Sequence, residues 1–93
     1  EGAGNDATAD VVGTNISLTA KSGIGEAAGS GALEINATTL TLATVTGAGI
    51  INLADTAGGL AVTVANTNNG NITIAVTDTA AGGISLAVQS VVA

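Results

Sequence analysis

The chain has 93 residues and a net charge of −6, and it contains no Cys, His, Trp, Tyr, Phe, Met or Pro. Without His or Cys it lacks the usual general base at neutral pH, the thiolate nucleophile and the common ligands of structural zinc sites. Negative charge and missing aromatic rings also disfavour nucleic acid as a partner. The composition therefore predicts a protein that is not an enzyme and carries no cofactor.

The first 14 residues are polar, rich in Gly and Ala, and hold three of the seven acidic residues. We interpret residues 1–14 as a flexible or edge-docking amino-terminal arm, in which Val11 and Val12 dock onto the fold if they are ordered. Residues 15–93 form the predicted repeat domain. Its apolar clusters are much shorter than the roughly 18 apolar residues of a membrane-spanning helix, so we predict no such span.

From Asn15 onward, apolar residues alternate with small polar ones in short runs that are separated by Gly-rich turns. A period of two indicates half-buried strands, and Gly or Asn provides the positive φ that sharp corners need. The predicted core and assembly positions are Ile16, Leu18, Leu33, Ile35, Leu40, Leu42, Ile51, Leu53, Leu60, Val62, Val64, Ile72, Ile74, Ile84, Leu86 and Val88.

An internal repeat relates residues 51–64 to residues 72–88. Ile51 lies 21 residues before Ile72, whereas Leu60 lies 24 residues before Ile84, which predicts three residues added in the intervening turn. A period of about 20 residues with several short strands is typical of solenoids. We predict an all-β fold, a parallel β-helix of roughly four coils. The alternative is a β-sandwich, because about seven strands fit it and Asn69-Gly70 is a hairpin signal.

Several segments resemble the repeat region of filamentous-haemagglutinin-type adhesins and similar giant bacterial surface proteins. The segments are ISLTA (16–20), SGIG (22–25), LEINA (33–37), LTL (40–42), GIINL (49–53) and GNITI (70–74). The resemblance covers residues 15–93 and implies right-handed parallel β-helices, displayed outside the bacterial cell as long rods. The chain is far shorter than those proteins and lacks their amino-terminal secretion domain. An excerpt of a giant rod and a small polymerising subunit both stay open.

Asp55 and Asp78 are weak candidates for a metal site. Each precedes a Gly-containing turn, and adjacent coils would bring the two carboxylates together in a way that suits calcium. The calcium-binding pattern G-G-x-G-x-D is absent, however, and an Asp before a turn commonly hydrogen-bonds its own backbone. We therefore predict turn capping and no metal.

Three further patterns have both a functional and an ordinary interpretation. Asn15, Asn36 and Asn71 each begin an N-glycosylation acceptor pattern, although chance matches or stacked Asn ladders explain them better. The Thr-rich run 38–46 has the Thr-x-Thr spacing of ice-binding solenoids, but outward strand residues account for it. Lys21, the one basic residue, lacks the apolar or cationic surroundings that would make it a nucleophile, and it is predicted to be solvated.

The favoured function is a structural building block of an extracellular fibre on the bacterial cell surface, in which coils stack end to end. Its predicted partner is itself, head to tail, or adjacent repeats of a longer chain. The alternative is an adhesin binding module that recognises a host or matrix ligand through a lateral face or the loop 25–32. A polysaccharide-cleaving enzyme on this fold would need convergent charged residues, and one lysine with no arginine argues against it.

Overall fold

The computed structural model describes residues 9–26, 31–77 and 86–92, and all regular structure there is β-strand. No helix in these ranges is long and apolar enough to cross a membrane. The strands are β1 Val11–Ala20, β2 Leu33–Val45, β3 Ile51–Asp55, β4 Leu60–Val62, β5 Ala65–Thr67, β6 Ile72–Val76, β7 Leu86–Val88 and β8 Val91–Val92.

Every described strand pair is parallel and joins strands that lie one coil apart. The long strand β2 shows the architecture, because its start pairs with β3, its middle with β4 and its end with β5. A sandwich of hairpins would need antiparallel pairs. The predicted all-β parallel solenoid is therefore confirmed.

The coils have three sides. Side one contains the middle of β1, the middle of β2, β4 and β7, and side two contains the ends of β1 and β2, β5 and β8. Side three contains the start of β1, Ile24, the start of β2, β3 and β6. These elements form about three complete coils, and β7 and β8 begin a fourth.

The predicted repeat register is correct on side three and wrong on side one. Ile51 pairs with Ile72 as predicted, whereas Leu60 pairs with Leu86 instead of Ile84, so the turn holds five added residues instead of three. A shift of two residues keeps the same side chains on the same face of a strand. The alternating pattern therefore could not reveal this error.

Inward side chains stack into columns along the solenoid axis, and the middle coils bury them completely. Leu40, Ile51 and Leu53 are all 0% exposed. At the corner between sides one and two, the register of β1 and β2 shifts between Ile16 and Ser17. Because of this shift Ala43, and not Leu42, enters the core, and Leu42 is half-buried.

The other predicted core positions fall into three groups. The buried ones are Ile16, Ile35, Leu60 and Val62. The half-buried ones are Leu18, Leu33, Val64, Ile72 and Ile74. Val88 is exposed, and Ile84 and the side chain of Leu86 lie outside the described residues. Strand β1 begins at Val11, inside the segment interpreted as an arm.

Candidate assembly surface

The carboxy-terminal end of the stack exposes the ends of interior columns. Val88 is the register partner of Val62 and Val91 is the partner of Ala65. Val62 and Ala65 are 1% and 0% exposed, whereas Val88 and Val91 are 50% and 45% exposed. The two valines thus occupy interior positions that no described strand covers.

The columns of side three also end in partly exposed side chains at the carboxy-terminal end of the stack. Ile72 and Ile74 of β6 continue the columns of Ile51 and Leu53, but they are only half-buried. Among the described strands, β6 pairs with β3 alone. Its outer edge therefore presents a row of backbone N–H and C=O groups, with which another parallel strand can pair.

The amino-terminal end is partly covered. Val11, Leu18 and Ala20 of β1 are half-buried and pack against the core. Ile16 and Ile24, in contrast, are only 5% and 6% exposed. β1 pairs only with β2 within the described part of the chain, so its outer edge also offers backbone groups.

The corner between sides two and three stacks backbone directly on backbone. A Cβ placed on Gly49 would overlap the carbonyl oxygen of Ser22, and one on Gly70 would overlap the carbonyl oxygen of Gly49. Backbone hydrogen bonds continue through this corner, with the Ile51 N–H donating to the Asn71 carbonyl at 3.0 Å. Only glycine permits this close approach between successive coils.

Two threonine hydroxyls on side two make hydrogen bonds. The buried Thr67 hydroxyl donates to the Gly70 carbonyl at 2.5 Å and accepts from the Gly70 N–H at 3.3 Å, so its polar atom is satisfied within its own turn. On the outer face of side two, the Thr44 hydroxyl donates to the side-chain oxygen of its register partner Asn66. This pair forms a short polar ladder between coils.

Asp55 occupies a position that the sequence pattern does not indicate. It is the last residue of β3 and lies inward between Ile35 and Val76 in one column. Its side chain is 2% exposed, and neither carboxylate oxygen accepts a hydrogen bond within the described residues. Burial raises its pKa from 3.8 to about 6. The backbone N–H of Ala37 offsets part of this rise, although it does not form a well-aligned hydrogen bond with the carboxylate.

This placement contradicts turn capping by Asp55, because neither of its carboxylate oxygens accepts a hydrogen bond from the turn. Its register partner in the next coil is Val76. Asp78 itself lies outside the described residues. No cluster of three acidic residues suited to a metal ion is present in the part of the chain that the structure describes.

The remaining candidates lie on the surface. Asn15, Asn36 and Asn71 are all exposed. Asn15 pairs with Thr39 and Asn36 pairs with Val12, so these two asparagines do not form the ladder that was considered for them. Lys21 is exposed as well. In the Thr-rich run, Thr41 is exposed and Thr44 joins the polar ladder.

A lateral groove crosses three coils on side one. It has a volume of about 570 Å³ and is lined by small, uncharged residues. Thr14, Asn36 and Thr38 contribute polar side chains, and Gly58 and Gly59 belong to the turn that closes the groove. The groove offers hydrogen-bonding groups without an aromatic platform or a charge.

No family model, no curated protein and no solved structure matches this chain.

Proposed function

We propose that this chain is a structural building block of an extracellular bacterial surface fibre, in which coils stack end to end into a rigid filament. The observation that carries the proposal is the carboxy-terminal end, where Val88 and Val91 continue interior columns while half of their surface faces solvent. Covering such apolar surface stabilises an assembly by roughly 25 cal/mol per Å².

Backbone geometry supports the same contact. The outer edges of β6, β7 and β8 face one way along the axis and the outer edge of β1 faces the other. A head-to-tail contact between such edges does not close on itself, and contacts of this kind generate filaments. The half-buried Val11, Leu18 and Ala20 provide the apolar counterpart on β1. Further coils of a longer chain would complete the columns in the same manner.

The location outside the cell rests on the resemblance to filamentous-haemagglutinin-type repeats. The absence of Cys agrees with an extracellular protein that avoids accidental disulfides. Neither feature depends on the assembly contact.

The test is electron microscopy and light scattering of the 93-residue chain beside two matched variants. Val88→Asp places a charge in an interior column at the open end, and Val12→Asp places the same charge on an outward side chain that is 72% exposed. We expect filaments from the native chain and from Val12→Asp but not from Val88→Asp. A native chain that stays monomeric at all concentrations contradicts stacking between copies.

A second candidate function, a binding module, is favoured by the lateral groove. Its hydroxyl, amide and backbone groups suit a neutral polar ligand such as an uncharged oligosaccharide. Calorimetry with neutral oligosaccharides tests this directly, and Asn36→Ala should remove the binding while leaving the fold intact. Lack of binding to the native chain rejects this function for these ligands.

A further inference from the structure

Asp55 is an exception in an otherwise apolar column. Along this column the register runs from Val11 to Ile35, Asp55 and Val76. A carboxylate in such surroundings has lost its water, and the backbone amide of Ala37 offsets only part of that loss, so the ionised form is disfavoured. The protonated carboxyl group is neutral and close in size to valine, so it fits the column far better.

The described strands that pair with β3 carry no positive charge. The charged residues on or beside the elements packed against β3 are Glu34 of β2, Asp10 and Glu26. Asp10 accepts a hydrogen bond from the Glu34 N–H at 3.3 Å, and the Glu26 carbonyl accepts one from the Asn52 side chain at 2.7 Å. All three residues are acidic, and β6 carries no charged residue. The raised pKa of Asp55 therefore comes from burial, and no opposite charge on these strands offsets it.

The strand above Asp55 is weakly held. Within the described chain β6 pairs only with β3, through five residue pairs that end at Asp55 and Val76. β3, in contrast, is also paired with the start of β2. If ionised Asp55 becomes hydrated, the strand that can detach is β6, because β3 is held by a second neighbour.

We infer that Asp55 is a proton-operated latch between the second and third coils: it holds β6 against β3 while the carboxyl group is protonated, and it loosens β6 when the group ionises. The latch lies within one chain, so it does not depend on the proposed fibre. Its direction follows from linkage. The pKa of the Asp55 carboxyl is about 6 in the folded protein, against 3.8 for an ordinary Asp. The protonated carboxyl therefore stabilises the β3–β6 pair fully below about pH 4, and this stabilisation is lost as the pH rises through 6.

Amide hydrogen exchange of the native chain tests the latch. Protection factors, which correct for the intrinsic effect of pH on exchange, are compared at about pH 5 and about pH 8. These pKa values predict that the opening constant of β6 amides rises about tenfold over this interval. Amides in the β1–β2 pair should change much less.

Three variants make the result decisive. Asp55→Asn removes the charge at similar shape, Asp55→Val reproduces the apolar column, and Glu26→Gln removes one exposed acidic charge as a control. Both Asp55 variants should show no pH-dependent opening of β6, and Glu26→Gln should behave as the native chain. If Asp55→Asn fails to fold, Asp55→Val still gives the comparison. The latch is rejected if β6 keeps its pH dependence without Asp55, or if all three sides loosen equally.

Discussion

Ile24 and Ile72 are the same residue type in the same interior column, yet Ile24 is 6% exposed at the amino-terminal end and Ile72 is half-buried at the carboxy-terminal end. Ile16 and Val88 differ in the same direction, with 5% and 50% exposure in one column. Position in a column thus sets which way a side chain points, but it does not by itself set how fully that side chain is buried. The carboxy-terminal end is the one with apolar surface left to cover.

The largest loss of stability is expected at the glycine corner between sides two and three, where successive coils approach most closely. Gly49→Ala puts a methyl group into the Ser22 carbonyl, and because backbone cannot move aside, we expect a loss of more than about 4 kcal/mol or no folded protein. Ser22→Ala, in the exposed first member of this corner, should unfold almost as the native chain does. Circular dichroism with urea measures both. A stable Gly49→Ala protein would show that the coils stack less closely here.

The isoleucine column gives the next effect. Ile51→Ala empties a site that is 0% exposed, and we expect a loss of about 3 to 4 kcal/mol from lost transfer energy and the remaining cavity. Ile72→Ala should cost about half as much because its site is partly hydrated already. Urea unfolding at low protein concentration compares the two. Equal losses would mean that another coil covers Ile72 in solution.

The smallest effect concerns the polar ladder on side two. Thr44→Ala removes the hydroxyl that donates to Asn66, so we expect a loss of about 1 kcal/mol. Thr19, its register partner at the amino-terminal end, is exposed, so Thr19→Ala should leave the free energy of unfolding unchanged. A double change of Thr44 and Asn66 to Ala tests the coupling. Additive losses would show that the ladder does not stabilise the stack.

The sequence predicted the fold because alternation and repetition are both local signals. Ile51 and Leu53 share their spacing with Ile72 and Ile74, and this alone identified coils that stack in parallel. The same signal failed at Leu60, because Ile84 and Leu86 lie two residues apart and both satisfy the alternation. Ala43 was missed since a small residue at a corner gives no hydrophobic signal.

Asp55 shows why the interior could not be predicted completely. The letters that follow it, Thr-Ala-Gly-Gly, are typical of a turn, so an acidic residue there indicates a cap. Its actual environment comes from Ile35 and Val76, which lie about one coil away in sequence. No local pattern contains that information, and only the register between coils reveals it.

The direction of the backbone hydrogen bonds has a mechanical consequence. The strands run around the solenoid, so bonds such as those between β3 and β6 or between β4 and β7 point along its axis. Tension along the axis therefore loads the three sides together, and a coil detaches only when all of them fail. One coil of about 21 residues would then release roughly 70 Å of chain, at about 3.4 Å per residue. A rod built this way stretches in discrete steps and can take up load without breaking a covalent bond.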